Sequence, residues 1–196
     1  RSSSGSSDNY HLGVYGGAQW GSVSLRSGIA STWHSIDPTR SITFPGFSDR
    51  VSADYGASTT QLFSELGYAF QVGGMTLEPF GSLAHVYVNG NSFREAGGSA
   101  ALAGQGGSNA ATFSTIGLRA ERDLSIGDAA GRAHGMIGWR HAYGDATPEA
   151  DLRFASGASF GINGTPVARD VAAVSAGLDF ELGGNAALQL SYEGQF

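Results

Sequence analysis

Apolar and polar residues alternate with a period of two in eight separate segments, the pattern of β-strands with one apolar face. In the first, Tyr10, Leu12, Val14, Ala18 and Trp20 share one face, and His11, Gly13, Tyr15, Gly17 and Gln19 the other. In the second, Val23, Leu25, Ile29 and Trp33 alternate with Ser24, Arg26, Gly28, Thr32 and His34. The third sets Leu62, Leu66, Tyr68, Phe70 and Val72 against Gln61, Glu65, Gly67 and Gln71. The fourth, Met75 to Val88, sets Leu77, Pro79 and Leu83 against Glu78, Ser82 and Ala84. The fifth sets Ile116, Leu118 and Ala120 against Thr115, Gly117, Arg119 and Glu121. The sixth sets Ala133, Ile137, Trp139 and Tyr143 against Arg132, His134, Gly138 and Arg140. The seventh sets Val174, Ala176, Leu178, Phe180 and Leu182 against Ser175, Gly177, Asp179 and Glu181. The eighth sets Leu188, Leu190, Tyr192 and Phe196 against Gln189, Ser191, Glu193 and Gln195.

The connections alternate in length. Short turns are expected at Gly21-Ser22, Gly73-Gly74, Ser125 to Gly131 and Gly183-Gly184-Asn185, where Gly and Asn suit hairpins. Long connections are expected at Ser35–Tyr55, Asn89–Asn109 and Gly144–Asp170. A soluble half-buried sheet gives the same strand pattern, but it has no reason to keep that asymmetry. Outer-membrane barrels have short periplasmic turns and long external loops. Aromatics at strand ends (Tyr10, Trp20, Trp33, Tyr68, Phe70, Tyr143, Tyr192 and Phe196) would form the girdles at the two membrane interfaces. The fold class expected is all-β, an antiparallel up-and-down outer-membrane β-barrel. If the first short turn is periplasmic, both ends of the eight-strand array lie outside. The array is then expected to be an arc with at least one further strand on each side.

Composition agrees. Apolar residues make up 41% of the 196, with 31 glycines and only 14% charged residues. No run of about 18 apolar residues occurs, which excludes a transmembrane helix. The Ser-rich start, Arg1 to Asn9, has no apolar core and is not a signal peptide. A net charge of −6 speaks against a nucleic-acid partner. With no cysteine, disulfides and thiolate metal sites are impossible.

The chemistry lies on the polar faces. Arg26, His34, Glu65, Glu78, Arg119, Glu121, Arg140, Asp179 and Glu193, with Arg132, His134 and Glu181, are expected to line a hydrated lumen. Their mixed signs would pair with one another or touch a polypeptide in the lumen; the blander reading is ordinary polar lining. No Gly-x-Ser-x-Gly elbow occurs. The five scattered histidines, His141 included, offer no ligand spacing for zinc. Gly104-Gln-Gly-Gly lacks the context of a phosphate loop, and Asn163-Gly reads as a turn. No enzyme activity and no cofactor are expected.

The residues Tyr10-His-Leu-Gly-Val-Tyr-Gly-Gly, Ile42-Thr-Phe-Pro-Gly-Phe-Ser-Asp-Arg, Leu77-Glu-Pro-Phe, Thr112-Phe-Ser-Thr-Ile-Gly-Leu-Arg, Gly138-Trp-Arg-His-Ala-Tyr-Gly-Asp, Pro166-Val-Ala-Arg-Asp and Leu190-Ser-Tyr-Glu-Gly-Gln stand in a telling order and spacing. In that arrangement the sequence resembles the translocator β-barrel domain of bacterial autotransporters (type V secretion). The resemblance implies a twelve-stranded barrel of which residues 1–196 form one partial domain. It implies a pore helix and earlier strands before these eight, and one last strand after Phe196. It also implies an outer-membrane location among lipid, a passenger fused in cis and exported to the cell surface, and help from the barrel assembly machinery. Some members of that family cleave their passenger inside the barrel, but no residue here matches that chemistry one by one. The alternatives are a general outer-membrane channel or adhesin-type barrel acting through its external loops, and a soluble β-rich binding domain. Detergent dependence would separate the last.

Overall fold

The computed structural model describes residues 2–127, 129–144, 147–154, 157–182 and 186–196. It contains β1 (Ser2–Trp20), β2 (Val23–Phe44), β3 (Phe47–Ser52), β4 (Tyr55–Tyr68), β5 (Phe70–Val72), β6 (Met75–Gly90) and β7 (Phe93–Arg94). It continues with β8 (Leu102–Gly104), β9 (Gly107–Ile126), β10 (Ala129–Tyr143), β11 (Glu149–Phe154), β12 (Ser159–Asn163), β13 (Asp170–Glu181) and β14 (Ala187–Gln195). The eight periodic segments are the eight long strands β1-β2-β4-β6-β9-β10-β13-β14, hydrogen-bonded in that order in one antiparallel sheet. Each pairs with its neighbours in sequence, so the sheet is an up-and-down meander. Its two ends, β1 and β14, do not pair with each other, so these strands form an arc and not a closed eight-stranded barrel.

Register holds the two faces apart. Leu25 lies opposite Leu66 and Ile29 opposite Leu62; Ile137 lies opposite Leu118 and Val174; Leu178 lies opposite Leu190. This apolar face is open: Leu66 is 56% exposed and Ile137 62%. The polar face is crowded instead. Phe80, Thr115, Ala142 and Ala173 are all buried and all belong to it. Side chains crowd on the inside of a curve and splay on its outside, so the sheet curls toward its polar face. A contiguous apolar surface across eight strands is far larger than a soluble monomer leaves in water.

Aromatic side chains edge this surface in two rows. Tyr10 lies opposite Trp33. At the other edge Trp20 lies opposite Val23, which lies opposite Tyr68. Tyr10 and Trp20 are separated by ten residues of β1. At about 3.3 Å per residue and a tilt of about 40°, that spans about 25 Å, the height of a membrane barrel's apolar band. On the long-connection side, Trp139, His141 and Tyr143 pack in a row along β10, the first two tilted with ring centres 5.7 Å apart and the last two edge to face at 4.6 Å.

The long connections are more ordered than the loops expected. β2 runs on to Phe44, turns at Pro45-Gly46 and returns as β3. The Ser-rich start is the outer half of β1, with Ser2 opposite Ser41 and Asp8 opposite Ser35. Beyond Gly90, the strands β7, β8, β11 and β12 make a second, four-stranded sheet. Outside the apolar band no face has to be apolar, so the period-two signal vanishes while the backbone stays paired. The fifth and sixth segments come closer than expected, β9 ending at Ile126 and β10 starting at Ala129. The turn expected at Gly183-Gly184-Asn185 lies outside the described residues.

The opposed faces give a direct test in a bilayer. Leu178→Arg should destabilise the sheet by roughly 2–4 kcal/mol, and Ser175→Arg, on the polar face of the same strand, by much less. A denaturant titration in lipid vesicles measures both, and equal losses would contradict the assignment of faces.

Candidate functional site

Four of the expected lumen charges meet in one network. β2, β4, β6 and β9 are adjacent, and their registers place Arg26 opposite Glu65 and Glu78 opposite Arg119. Arg26 Nη1 donates to Glu65 Oε1 at 2.8 Å and to Glu78 Oε1 at 2.7 Å. The Arg119 guanidinium donates to both oxygens of Glu65, at 2.8 and 2.7 Å. Ser24 Oγ donates to Glu78 at 3.2 Å. The two glutamates are 13% and 15% exposed. Two positive and two negative charges, each touching both opposite charges, leave no net charge on this stretch of wall. The Arg–Glu65 fork adds direction to the attraction. Arg119 also lies over the Phe80 ring, 3.9 Å from its centre, a cation–π contact.

Glycines make room for this layer. A Cβ on Gly67 would collide with the Glu78 carboxylate, and one on Gly117 with the Phe80 ring. Gly28 is roofed by Tyr15 and Phe63, and Gly177 by His134. These four glycines of the polar face are therefore sockets for large side chains from neighbouring strands, in keeping with the expectation of a curved, occupied interior.

The other expected residues stand apart from the network. His34 shares the Arg26 face but lies toward the long connections, where Nδ1 meets Asn9 at 2.6 Å and Nε2 meets Thr59 at 3.2 Å. Asp179 pairs with His134 at 3.4 Å, and its Oδ1 is buried without a hydrogen-bond partner. Arg132 donates instead to Asp123 at 3.2 Å. Among the described residues, Glu121, Arg140, Glu181 and Glu193 have no ion-pair partner. Asp170 Oδ1, on the apolar side of β13, accepts from Trp139 at 3.1 Å and contacts His141 Nδ1 at 2.7 Å. No three metal-binding side chains converge among the described residues.

A second cluster, beyond the apolar band, has no counterpart in the sequence reading. The segment after β7 is clasped onto the β2–β3 hairpin. Arg40 donates to both Glu95 oxygens, at 2.9 and 2.6 Å, and to Ala100 O at 3.0 Å. Glu95 also accepts Leu102 N–H at 2.8 Å. Asp49 accepts the amides of Gly98 at 3.1 Å and Ala100 at 2.9 Å. Ser52 and Ala96 exchange backbone bonds, and Val51 is 1% exposed beneath them. Burial alone would raise the Glu95 carboxyl, but the Arg40 fork and the Leu102 amide hold it below the usual carboxylate range. The Ala100 amide, with that of Gly98, lowers Asp49 likewise. No alternation marks Arg40, Asp49 or Glu95, and only the folded chain brings them together.

Comparison with known proteins follows the same lines. The family described as autotransporter beta-domain matches residues 1–193. Two extracellular serine proteases of Serratia marcescens are 43% and 40% identical over 190 residues. Those matches cover 96% of this chain but 18% of each relative, so the chain spans under a fifth of their length. In structure, the chain is similar to the translocator domain of the autotransporter NalP from Neisseria meningitidis, with TM-score 0.68 and 17% identity, covering 98% of this chain and 62% of that one. It is also similar to the beta domain of the Bordetella autotransporter BrkA, with TM-score 0.59 and 20% identity, covering 98% and 68%.

Glu65→Gln leaves Arg119 without its charged fork and should cost about 1–3 kcal/mol. Glu193→Gln, which removes no ion pair among the described residues, should stay within about 0.5 kcal/mol. Urea titrations of the two variants in one lipid compare them directly.

The clasp should answer to acid. Because the carboxyls of Glu95 and Asp49 are depressed in the folded state, their contribution is present above the ordinary carboxylate range, near pH 4, and is lost as pH falls below it. Spin labels at Ser48 and Ser99 should show one narrow distance at pH 6 and a broad distribution below about pH 4. A distribution unchanged down to pH 2.5 would rule out the carboxylate clasp.

Proposed function

The chain belongs to the autotransporter β-domain family, and on that premise we propose that its polar, concave face lines a lumen through which a fused polypeptide reaches the cell surface. The chain is an outer-membrane translocator domain, not a catalytic one; the matched family is the membrane β-domain of autotransporters. It resides in the outer membrane of a Gram-negative bacterium. Its fold is that of the translocator barrels it resembles. A channel or adhesin acting through its loops is the less favoured reading.

The observation that carries the proposal is the contrast between the faces. The apolar face is open and continuous, so lipid is its natural cover. The concave face bears a closed network of charges in which every member is satisfied. That neutral stretch of wall holds no unpaired charge to trap a passing chain. Among the described residues, Glu121, Arg140, Glu181 and Glu193 remain as the polar-face charges without an ion-pair partner, free to meet a polypeptide in the pore. The passenger in cis, the pore helix and the barrel assembly machinery are partners of the whole protein, and they belong to this proposal. So does the reading of residues 1–196 as one part of a larger barrel. The long-connection side, with its clasp and second sheet, would then face the exterior.

No cysteine lies among these 196 residues, so a single one can be placed at a chosen position of this wall. In the full-length protein, Ser175→Cys should crosslink to a passenger stalled during export, and Leu178→Cys should not. Crosslinks from Leu178→Cys with none from Ser175→Cys would overturn the proposal.

A further inference from the structure

The outward sheet β7-β8-β11 carries two arginines that nothing above uses. Register places Arg94 opposite Ala103, and Ala103 opposite Arg153. The two arginines therefore stand on one face, one strand apart on either side of an alanine. Their backbones are separated by about 10 Å, a gap that two arginine arms can close on a single anion. Ala103 is small enough to leave the space between them open. Arg94, Ala103 and Arg153 together line a cavity of about 270 Å³ and an adjoining one of about 520 Å³. The opposite face of the same sheet is already committed, with Glu95 clasped by Arg40 and Phe93 stacked on Tyr55 at 4.9 Å. Arg94 and Arg153 are left facing solvent.

Among the described residues neither guanidinium has a carboxylate oxygen within 4.0 Å, unlike Arg26, Arg40, Arg119 and Arg132. Acids do lie nearby. Glu95 lines the 270 Å³ cavity beside both arginines, but its carboxylate is held by Arg40; Asp37 and Asp54 line a cavity of about 570 Å³ that Arg94 also borders, and Asp151 lies two residues before Arg153 on the same strand. None of them reaches either guanidinium. Two like charges held over an open cavity repel each other until an anion lies between them. A carboxylate can sit between two arginines, as Glu65 does, but its two oxygens complete only one fork, and the second arginine gets a single bond. A phosphate offers three or four oxygens in a tetrahedron and accepts forks from both sides.

We infer that Arg94 and Arg153 form a phosphate-binding clamp on this second sheet. The ligand class is a phosphate group, free or carried as a phosphomonoester on a lipid headgroup. The clamp does not depend on passage of a polypeptide, so the translocation proposal and this one fail separately.

The test uses the full chain in neutral detergent micelles at pH 7.5 and constant ionic strength set with sodium chloride. Inorganic phosphate, titrated by calorimetry, should bind saturably, one per chain. Arg94→Ala and Arg153→Ala should each weaken it at least tenfold. Arg94→Lys should also weaken it, because the fork is lost. Arg122→Ala, an exposed arginine on β9, should leave it unchanged. Circular dichroism confirms that each variant is folded. Bicelles doped with phosphatidic acid identify the source. Competition with free phosphate that requires both arginines marks a lipid headgroup, and phosphate binding untouched by the lipid marks a soluble phosphate. Non-saturable binding, or wild-type affinity in the Arg94→Ala/Arg153→Ala double variant, would overturn the clamp, as would an equal loss in Arg122→Ala.

Discussion

Hydrocarbon offers a backbone amide no partner, so within the apolar band every N–H and C=O must find its bond in a neighbouring strand. The meander follows from this demand. Each long strand pairs with the long strand that follows it in sequence, and the order in the sheet repeats the order in the sequence. β2 is paired along nearly its whole length on both sides, to β1 from Val23 to Ser41 and to β4 from Val23 to Ile36. Pairing also fixes register, and register fixes which residues share the apolar face. A slip of one residue in any strand would send its leucines inward and its arginines outward.

The charge network depends on the same ladders. Arg26, Glu65, Glu78 and Arg119 come from four successive long strands and are spread over more than ninety positions of sequence, from 26 to 119. Only three correct registers in a row bring their heads together. The network then acts back on the wall, because two arginine forks tie four strands on the side where they curl. Beyond the band, water could satisfy the backbone, and the chain uses a different device. There a partly buried arginine–glutamate pair and an aspartate capping two amides hold the clasp. Charge thus braces both parts, by mutual neutralisation within the band and by a docking contact outside it.

The strands and their faces were legible in the sequence because each strand has one face in an apolar solvent. That asymmetry writes a period of two into segments such as Leu62–Val72 and Val174–Leu182. The tight turns at Gly21-Ser22 and Gly73-Gly74 were legible from their glycines, both of the first kind in left-handed conformations, with φ of 60° at Gly21 and 59° at Gly73. The polar charges were legible as a set, but their partners were not. Arg26 could have faced any acid on its side of the sheet until register was known. The outer strands were illegible for the converse reason: with water on both faces, Ser2–Asp8 and Ser35–Ser41 need no alternation. Phe63 and Phe80, large side chains on the polar face, gave one usable signal. Each lies beside a strand that carries a glycine at the matching level, Gly28 and Gly117.

Those glycine sockets bear on how such a wall can change over generations. At Gly28, Gly67, Gly117 and Gly177 the missing side chain is filled from the next strand, by Phe63, Glu78, Phe80 and His134. Size is thus a property of the pair and not of either position. A methyl gained at one site has to be matched by shrinkage at its partner, forty residues away or more at Gly177 and fewer at Gly67. Related sequences should drift in coordinated pairs along this face, while the exposed leucines of the apolar face exchange freely among themselves.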